Sequence, residues 1–270
     1  MGKLGVTVGI VGGGSMGGAI ARGLVESGEL DASAVRVADS DPARVEALAS
    51  CGIAGCADAS DLLSGGPDVV ILAVKPQVID DVMADIAEAA ADRLVISIAA
   101  GVGTAAIASA LPGSRVVRVM PNLPVQVRSG ATTVCAGPRA TAADVELARE
   151  LFSALGTACV VREDQLDAAG AVVGTAPAFF SLFVDALTRA GVRTGLPAEA
   201  CRELLETTMR GCAEQLLSEG VHPRAYMERV TSPGGTTAAA LRELEPLLVE
   251  GSEEAVDAAL ARTRELAGDR

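Results

Sequence analysis

Three glycines near the start of the chain could bring the backbone close to a phosphate group. In GGGSMG, Gly12, Gly14 and Gly17 follow a short β-branched run and precede a run typical of a helix. In such a GxGxxG turn the first glycine makes the tight turn, the second lets the backbone approach a pyrophosphate, and the third packs helix on strand. The helix N-terminus then faces the phosphates. The pattern predicts a dinucleotide site that includes Ser15 and Met16.

An acidic residue stands after the second β-branched run. Asp39 follows AVRVA, about where an acidic side chain binds the adenosine ribose of NAD, and it would repel the 2′-phosphate of NADP. Ser40 and Arg44 lie close enough in the sequence to weaken that repulsion. We therefore expect NADH to be favoured, with NADPH as the open alternative. In a second interpretation, Asp39 is only a solvated turn or helix-cap residue before DPARVEAL.

Two further motifs stand where strands are expected to end. ILAVKPQ places Ala73, Val74, Lys75 and Pro76 at the carboxyl end of a strand, the edge at which doubly wound sheets bind ligands. VMPNLP ends another strand, and Asn122 offers hydrogen-bond donors and an acceptor there. These residues are expected to border the nicotinamide end of the dinucleotide. For VMPNLP, a purely structural Pro-Asn turn is an equal alternative.

The late stretch VTSPGGTTAAAL, residues 230–241, combines turn residues with the start of a helix. Pro233 stiffens the turn, Gly234 and Gly235 allow unusual backbone angles, and the helix presents unpaired N–H groups. Such a turn can hold a carboxylate. Ser and Thr are also favoured as helix caps, so an ordinary capped helix is the alternative.

The composition limits the kinds of site that the chain can form. A formal charge of −13 argues against a nucleic-acid or anionic-membrane surface, because both require a positive patch. The six cysteines show no CxxC pair and the chain has one histidine, so no metal site is expected. The amino-terminal residues lack the pattern of a signal peptide, and we expect a reducing cytoplasm.

These residues require a scaffold of alternating strands and helices. Strands are predicted from apolar β-branched runs at 6–11, 34–38, 68–74, 93–99 and 115–120. Helical patterns separate them at 16–27, 42–50, 77–91 and 104–110. Continuous apolar runs of this kind indicate a parallel sheet covered on both faces. The sheet is expected to extend through 131–136, a helix near 141–154, and 157–161.

The second part of the chain is predicted to be entirely helical. Breakers and caps separate helices at 164–191, 197–219, 223–229, 235–245 and 252–267. The fold class is therefore α/β, with an N-terminal Rossmann-like doubly wound sheet followed by an all-helical domain. The expected domain ranges are 1–162 for the dinucleotide-binding part and 163–270 for the helical part.

Motifs along nearly the whole chain agree in order and spacing with one family. They are GIVGGGSMGGAI, DVVILAVKPQ, VISIAAGV, VMPNLPVQVRSG, GLPAEAC and, above all, VTSPGGTTAAALRELE. On these motifs the chain resembles pyrroline-5-carboxylate reductase, which makes proline by reducing a cyclic imine with NADH or NADPH.

The resemblance implies a Rossmann domain followed by a helical dimerisation domain. It also implies that each active site forms where the cofactor domain of one subunit meets interleaved helices of the dimer. Higher assemblies of dimers are common in that family. Ser232 and the backbone of Gly234, Gly235 and Thr236 would hold the substrate. The hydroxyl of Thr237, the expected catalytic residue, would be directed towards the ring nitrogen.

One stretch departs from the family motif, which resembles Ser-Gly-Ser-Gly-Pro-Ala-Tyr preceded by a Thr. In GAVVGTAPAFF the corresponding side chains are mostly less polar, although Gly174, Pro177 and Ala178 are retained. The altered positions hold Gly170, Val173, Thr175, Ala176 and Phe179. The pocket next to the nicotinamide is therefore expected to be drier or differently shaped, which leaves a related cyclic imine carboxylate open as the substrate.

The sequence disfavours three other classes of protein. A hydroxyacid dehydrogenase of similar build would use a lysine of its helical domain, but no lysine follows Lys75. A non-catalytic dinucleotide-binding protein would have no reason to keep the SPGGTT turn. A serine hydrolase would need a GxSxG motif, which the sequence lacks, and His222 reads better as a loop or interface residue.

Overall fold

The computed structural model describes residues 2–268, and it divides the chain into two compact units. The first unit comprises the chain up to Thr175, and the residues from Leu260 onward group with it. The second unit is Ala176–Ala259. The expected domain boundary near residue 162 stays a prediction about how the chain is organised.

The first unit is built on an eight-stranded sheet with the order β3-β2-β1-β4-β5-β6-β7-β8. Neighbouring strands are parallel except β6 and β7, which are antiparallel. The order reverses between β1 and β4, as in a doubly wound fold. The strands are β1 (Val8–Val11), β2 (Val35–Ala38), β3 (Ala54–Cys56), β4 (Val69–Leu72), β5 (Leu94–Ser97), β6 (Arg115–Pro121), β7 (Gly130–Ala136) and β8 (Gly156–Val160).

Helices cover both faces of this sheet and give it two apolar cores. In one core, the strand side chains Ile10, Val37 and Val119 pack against helices that contribute Ile20 and Phe152. The other lies on the opposite face. The helices are α1 (Ser15–Glu26), α2 (Pro42–Ala49), α3 (Ala59–Ser64), α4 (Ile79–Ile86), α5 (Thr104–Ala110), α6 (Ala142–Ser153) and α7 (Glu163–Ala169).

The doubly wound class is confirmed, and several element boundaries predicted from the sequence are corrected. The short strand β3 and helix α3 were missed, because Ala54–Cys56 contains no β-branched residue. The helix predicted at 77–91 is a 3-10 turn, Pro76–Val78, followed by the shorter α4. The helix predicted at 164–191 is interrupted after α7 by a π-helical segment, Gly170–Gly174.

The second unit contains four helices in the part of the chain that the structure describes. They are α8 (Ala176–Arg193), α9 (Ala198–Glu219), α10 (Pro223–Arg229) and α11 (Thr236–Gly268), the last of which continues beyond the unit. The two helices predicted at 235–245 and 252–267 are wrong as separate elements, because α11 runs through Pro246 and Gly251 without a break. Proline inside a helix removes one hydrogen bond, but strong helix formers on both sides can keep the helix continuous.

Little of the second unit is buried by its own residues. Its buried apolar side chains are Val184 and Cys201, and a methyl group added at Gly191 would lie 2.5 Å from the Cys201 Sγ atom. Large side chains such as Phe180 and Leu182 are 59% and 66% exposed. The helical run Glu163–Arg193 is also long and apolar enough, by length and composition alone, to cross a membrane. Exposed large apolar side chains that lie close together are typical of a surface that another molecule covers.

Candidate functional site

The glycine-rich turn between β1 and α1 has the geometry that the sequence predicts. Gly12 has φ +105°, and a Cβ there would lie 2.6 Å from the carbonyl oxygen of Ala73. A Cβ at Gly17 would lie 1.9 Å from the Gly12 oxygen and 2.9 Å from the Ala73 Cβ. No side chain caps the start of α1 among the described residues, and its N-cap is Gly14. The first N–H groups of this helix therefore have no side-chain acceptor, and the oxygens of a phosphate group can accept their hydrogen bonds.

The carboxylate of Asp39 is fixed against this turn. Its Oδ2 accepts a hydrogen bond from the Gly13 N–H at 2.7 Å, and its Oδ1 accepts one from the Asp41 N–H at 2.9 Å. The Asp39 side chain is 6% exposed, whereas the side chain of Arg44, 3.4 Å away, is 52% exposed. Arg44 also lies beside the turn, since a Cβ at Gly14 would be 3.7 Å from its Nη1. Asp39 and Arg44 thus border the glycine turn, and Ser40 lies exposed next to them.

The residues that follow β4 lie beside the same turn. Ala73 donates its N–H to the Val11 carbonyl at 2.8 Å, which places it against Gly12 and Gly17. Val74 and Pro76 are half-buried and Lys75 is exposed at the start of the 3-10 turn. The structure therefore brings Ala73 together with the glycines, whereas contacts of Lys75 and Pro76 with a cofactor stay predictions.

Sequence reasoning missed Gln126, which also reaches the start of α1. Its Nε2 donates to the Ser15 Oγ at 2.8 Å, from a 3-10 segment at Leu123–Val127. Since 111 residues separate the two side chains, no local pattern could have paired them.

Asn122 is buried, and its amide already holds two backbone groups. Its Oδ1 accepts from the Ala131 N–H at 2.9 Å, and its Nδ2 donates to the Val173 carbonyl at 3.2 Å. Its side chain therefore ties the end of β6 both to β7 and to the π-helical segment. The second hydrogen of Nδ2 is the one that a nicotinamide could use, so the cofactor role of Asn122 stays a prediction.

The SPGGTT stretch forms a turn that leads directly into α11. Gly235 donates its N–H to the Ser232 carbonyl at 3.0 Å, and Gly234 has φ +71°. With Pro233 ahead of a glycine of positive φ, this is the pattern of a type II turn. A Cβ at Gly235 would lie 2.4 Å from the Ser232 Oγ, so this position must be glycine for the serine hydroxyl to stay there.

The polar side chains of the turn differ in their exposure to solvent. Ser232 and Thr236 are exposed, and Thr237 is half-buried in the first turn of α11. Short contacts before the turn hold it in place: the Thr231 hydroxyl donates to the Met227 carbonyl at 2.7 Å, and the Tyr226 hydroxyl donates to Gln215 on α9 at 2.6 Å. His222 is the exposed N-cap of α10, where its Nδ1 accepts from the Arg224 N–H at 3.1 Å, so its role is that of a helix cap.

The titratable groups of the described residues do not form an obvious nucleophile or metal centre. Burial raises the pKa of the Cys56 thiol and of the Cys135 thiol, which keeps both protonated at neutral pH. No cluster of three or more His, Cys, Asp or Glu side chains suited to a metal occurs within residues 2–268.

A doubly wound sheet with a glycine turn after its first strand is the arrangement that binds dinucleotides, and nicotinamide-dependent oxidoreductases are a class of enzymes that use it. Comparison with known proteins narrows this class. Residues 163–266 match a family described as pyrroline-5-carboxylate reductase dimerisation, and residues 7–101 match one described as NADP oxidoreductase, coenzyme F420-dependent.

Full-length relatives carry the same name. The pyrroline-5-carboxylate reductase of Pisum sativum is 36% identical over 96% of this chain and 96% of its own length. The structure of a pyrroline-5-carboxylate reductase from Coxiella burnetii matches with a TM-score of 0.91 at 34% identity, covering 97% of this chain and 98% of that one. The Plasmodium falciparum pyrroline carboxylate reductase with NADP bound matches with a TM-score of 0.85 at 25% identity, covering 98% and 100%.

The chain therefore belongs to the pyrroline-5-carboxylate reductase family. It is an oxidoreductase that reduces the cyclic imine 1-pyrroline-5-carboxylate with a nicotinamide cofactor, and the product is L-proline. It carries the dimerisation domain of the family. The prediction of family, fold class and reaction from the sequence motifs is confirmed.

Proposed function

We propose that the turn from Ser232 to Thr237 holds the substrate of this reductase and that NADH is its preferred hydride donor. The main support is the SPGGTT turn, in which the Gly235 N–H donates to the Ser232 carbonyl and a Cβ at Gly235 would lie 2.4 Å from the Ser232 Oγ, directly before α11. A carboxylate of the substrate would accept hydrogen bonds from the N–H groups at the start of α11 and from Ser232.

A reduced nicotinamide held by the glycine turn would supply the hydride that the C=N carbon of the protonated imine accepts, and the imine nitrogen would take the electron pair of the double bond. The hydroxyl oxygen of Thr237 accepts a hydrogen bond from that ring N–H and keeps the imine carbon in line with the hydride donor. The glycine turn and the end of β4 orient the cofactor. Because a protonated imine is already electrophilic, positioning supplies several kcal/mol of the catalytic effect, and one hydrogen bond about 1–3 kcal/mol.

The preference for NADH rests on the fixed position of Asp39. A carboxylate beside the adenosine ribose favours its hydroxyls and repels a 2′-phosphate. To turn away, Asp39 would have to release the Gly13 and Asp41 N–H groups. Leaving a buried donor unpaired costs about 1–3 kcal/mol. Arg44 is exposed enough to contact a 2′-phosphate, so some use of NADPH is expected.

The altered residues near the π-helical segment favour an apolar pocket. Val173 contributes its carbonyl to Asn122, and the Thr175 hydroxyl donates to the Ala171 carbonyl at 2.5 Å. The one hydroxyl in this stretch is thus bound to backbone. A six-membered cyclic imine carboxylate is accordingly the second substrate candidate, because it adds one methylene to the same groups.

The chain is proposed to work as a homodimer, or as a larger assembly of dimers, in the cytoplasm. The exposed apolar surface of the second unit and the match to the dimerisation family support a protein partner. A lipid bilayer suits this surface less, because Asp185, Arg189 and Arg193 lie within α8. No nucleic-acid partner is proposed, given the charge of −13.

The test is a panel of two substrates and two cofactors. Purified protein should oxidise NADH in the presence of 1-pyrroline-5-carboxylate, with a higher kcat/KM than with NADPH. The six-membered piperideine carboxylate serves as the comparison substrate. Folded protein without turnover of either imine would refute the assignment, and a strong preference for NADPH would refute the role given to Asp39.

A further inference from the structure

The end of strand β6 contacts the π-helical segment in a regular register. Three side chains of one strand face, Arg118, Met120 and Asn122, alternate with Val117 and Val119, which pack into the core on the other face. Asn122 continues the extended backbone of the strand, with φ −110° and ψ 170°. Alternate residues of an extended chain point to the same side of a sheet.

The three side chains contact residues 167, 170 and 173, which are spaced three positions apart along the helical run. The Arg118 Nη2 donates to the Asp167 Oδ1 at 3.0 Å, and the Asn122 Nδ2 donates to the Val173 carbonyl at 3.2 Å. Between them, a Cβ at Gly170 would lie 3.6 Å from the Met120 Cε atom, which is ordinary contact distance. Residues 167, 170 and 173 thus form one helical face that follows β6.

Arg118 is the charged member of this row. Its side chain is 3% exposed, whereas that of Asp167 is 45% exposed. The Arg118 Nε is buried, with no hydrogen-bond partner among the described residues. A buried guanidinium with a single charged partner is costly to separate, because removing the partner leaves an uncompensated charge. The ion pair therefore holds the end of α7 at a fixed distance from the strand.

The contact between Arg118 and Asp167 lies at the edge of the sheet where a ligand is expected to bind. The carboxyl ends of parallel strands are the edge at which a doubly wound sheet binds its ligand. Arg118 pairs in register with Ser97, the last residue of β5, and so lies at that edge. A π-helical segment is itself a rare element that occurs often at functional sites.

We propose that Asp167, held by Arg118, is a positioning residue for hydride transfer, because it sets the place of the π-helical segment Gly170–Gly174 beside the reacting groups. In this proposal Asp167 acts through the segment and not by contact with the substrate or the cofactor. The inference rests on the proposed function, since it assigns the segment to the site at which the imine is reduced.

The experiment compares Asp167→Ala with Asp167→Asn. A third variant, Arg115→Gln, is the control, because Arg115 forms another ion pair from strand β6. Asp167→Asn keeps an oxygen acceptor for Arg118. Arg115→Gln removes an ion pair at the opposite end of β6, where the Arg115 Nε donates to Asp144 at 3.0 Å. The readouts are kcat and KM with both substrates, the dissociation constant of NADH from its fluorescence, and hydrogen exchange of peptides that cover residues 168–175.

Asp167→Ala should lower kcat roughly tenfold to a hundredfold, the range expected for a misplaced reacting geometry. Its NADH dissociation constant should change less than about threefold, and hydrogen exchange over 168–175 should accelerate. Asp167→Asn should recover most of kcat, and Arg115→Gln should keep kcat while it lowers thermal stability.

An unchanged kcat in Asp167→Ala would overturn the inference, as would an equal loss of kcat in Arg115→Gln. The proposed function fails separately, if wild-type protein turns over no imine. In that case the hydrogen-exchange comparison alone decides whether Asp167 holds the segment, and unchanged exchange overturns that part.

Discussion

Thr237 is the residue on which the proposed chemistry depends most directly. It is half-buried in the first turn of α11, after a turn shaped by Gly234 and Gly235. Thr237→Ala should lower kcat about tenfold to a hundredfold, the equivalent of a lost hydrogen bond of about 1–3 kcal/mol. Cofactor affinity should hardly change, because the role proposed for Thr237 is a hydrogen bond to the imine and not to the cofactor.

Two other threonine variants make this measurement specific. Thr237→Ser keeps a hydroxyl and should retain most of the rate. Thr231→Ala removes a hydroxyl from the residue before the turn, where it donates to the Met227 carbonyl. Steady-state kinetics with varied imine and direct NADH titration are the measurements. Equal losses of kcat and NADH affinity in Thr237→Ala would show that the residue has been assigned the wrong role.

Single residues were predictable where the backbone itself imposes the residue type. Gly12 and Gly17 could be assigned from the sequence because a Cβ at either would collide with the neighbouring chain. Asp39 could be placed near the turn, but its bond to the Gly13 N–H depends on the register of β1 against β2. Gln126 and Arg118 could not be paired with their partners, although a charged residue inside the apolar run RVVRVM was a usable signal.

Elements were predictable where their hydrophobic pattern is long and regular. The four central strands, β1, β4, β5 and β6, are buried runs of β-branched residues and were located within a few residues. The edge strand β3 was missed, because its sequence AGC shows no such run. Gly55 is required there, since a Cβ would lie 2.0 Å from the Val45 Cγ1 atom.

The start of α6 contains a carboxyl group that makes the stability of the protein depend on pH. Thr141 and Asp144 form a capping box, in which the Thr141 N–H and hydroxyl donate to the Asp144 Oδ2 at 2.8 and 2.6 Å. Burial alone would raise the pKa of Asp144, but the hydrogen bonds from Thr141 and Arg115 outweigh it and lower the pKa below its usual 3.8. A carboxyl with a lowered pKa in the folded state stabilises that state above the unfolded pKa.

Asp144→Asn should therefore reduce the free energy of unfolding by about 1–2 kcal/mol at pH 7, because a cap and a charge-assisted bond are lost. The difference from wild type should shrink as the pH falls through 3.8 and below, where Asp144 becomes protonated in both states. Urea unfolding at pH 7, 5 and 3.5 measures it. A difference that stays constant over this range would contradict the assignment of the low pKa to the capping box.

The whole molecule carries a strong negative charge, yet its proposed ligands are anions. With a formal charge of −13, no long-range field draws a dinucleotide or a carboxylate towards the chain. Each proposed anion site is instead the start of a helix that follows glycines, α1 after Gly12–Gly14 and α11 after Gly234 and Gly235. Backbone N–H groups can bind these anions locally, which explains how an acidic protein holds them.

The second unit buries few apolar side chains with its own residues. Val184 and Cys201 are its buried apolar side chains, whereas Phe180 and Leu182 on α8 are 59% and 66% exposed. In an isolated chain, replacing two exposed side chains would change the free energy of unfolding by little more than about 0.5 kcal/mol each. In a dimer the same side chains would lie in a desolvated interface, where charged groups are strongly unfavourable.

The double variant Phe180→Glu and Leu182→Glu should therefore abolish the dimer and lower the thermal unfolding midpoint by more than about 10 °C. The two positions lie about 200° apart around the helix, so the variant charges two of its sides. Ser181→Glu, between them, is the control, since its hydroxyl donates only to the Pro177 carbonyl. Sedimentation velocity over a range of concentrations distinguishes the outcomes. A double variant that sediments and unfolds like wild type would show that neither of these two sides of α8 is covered by a second copy.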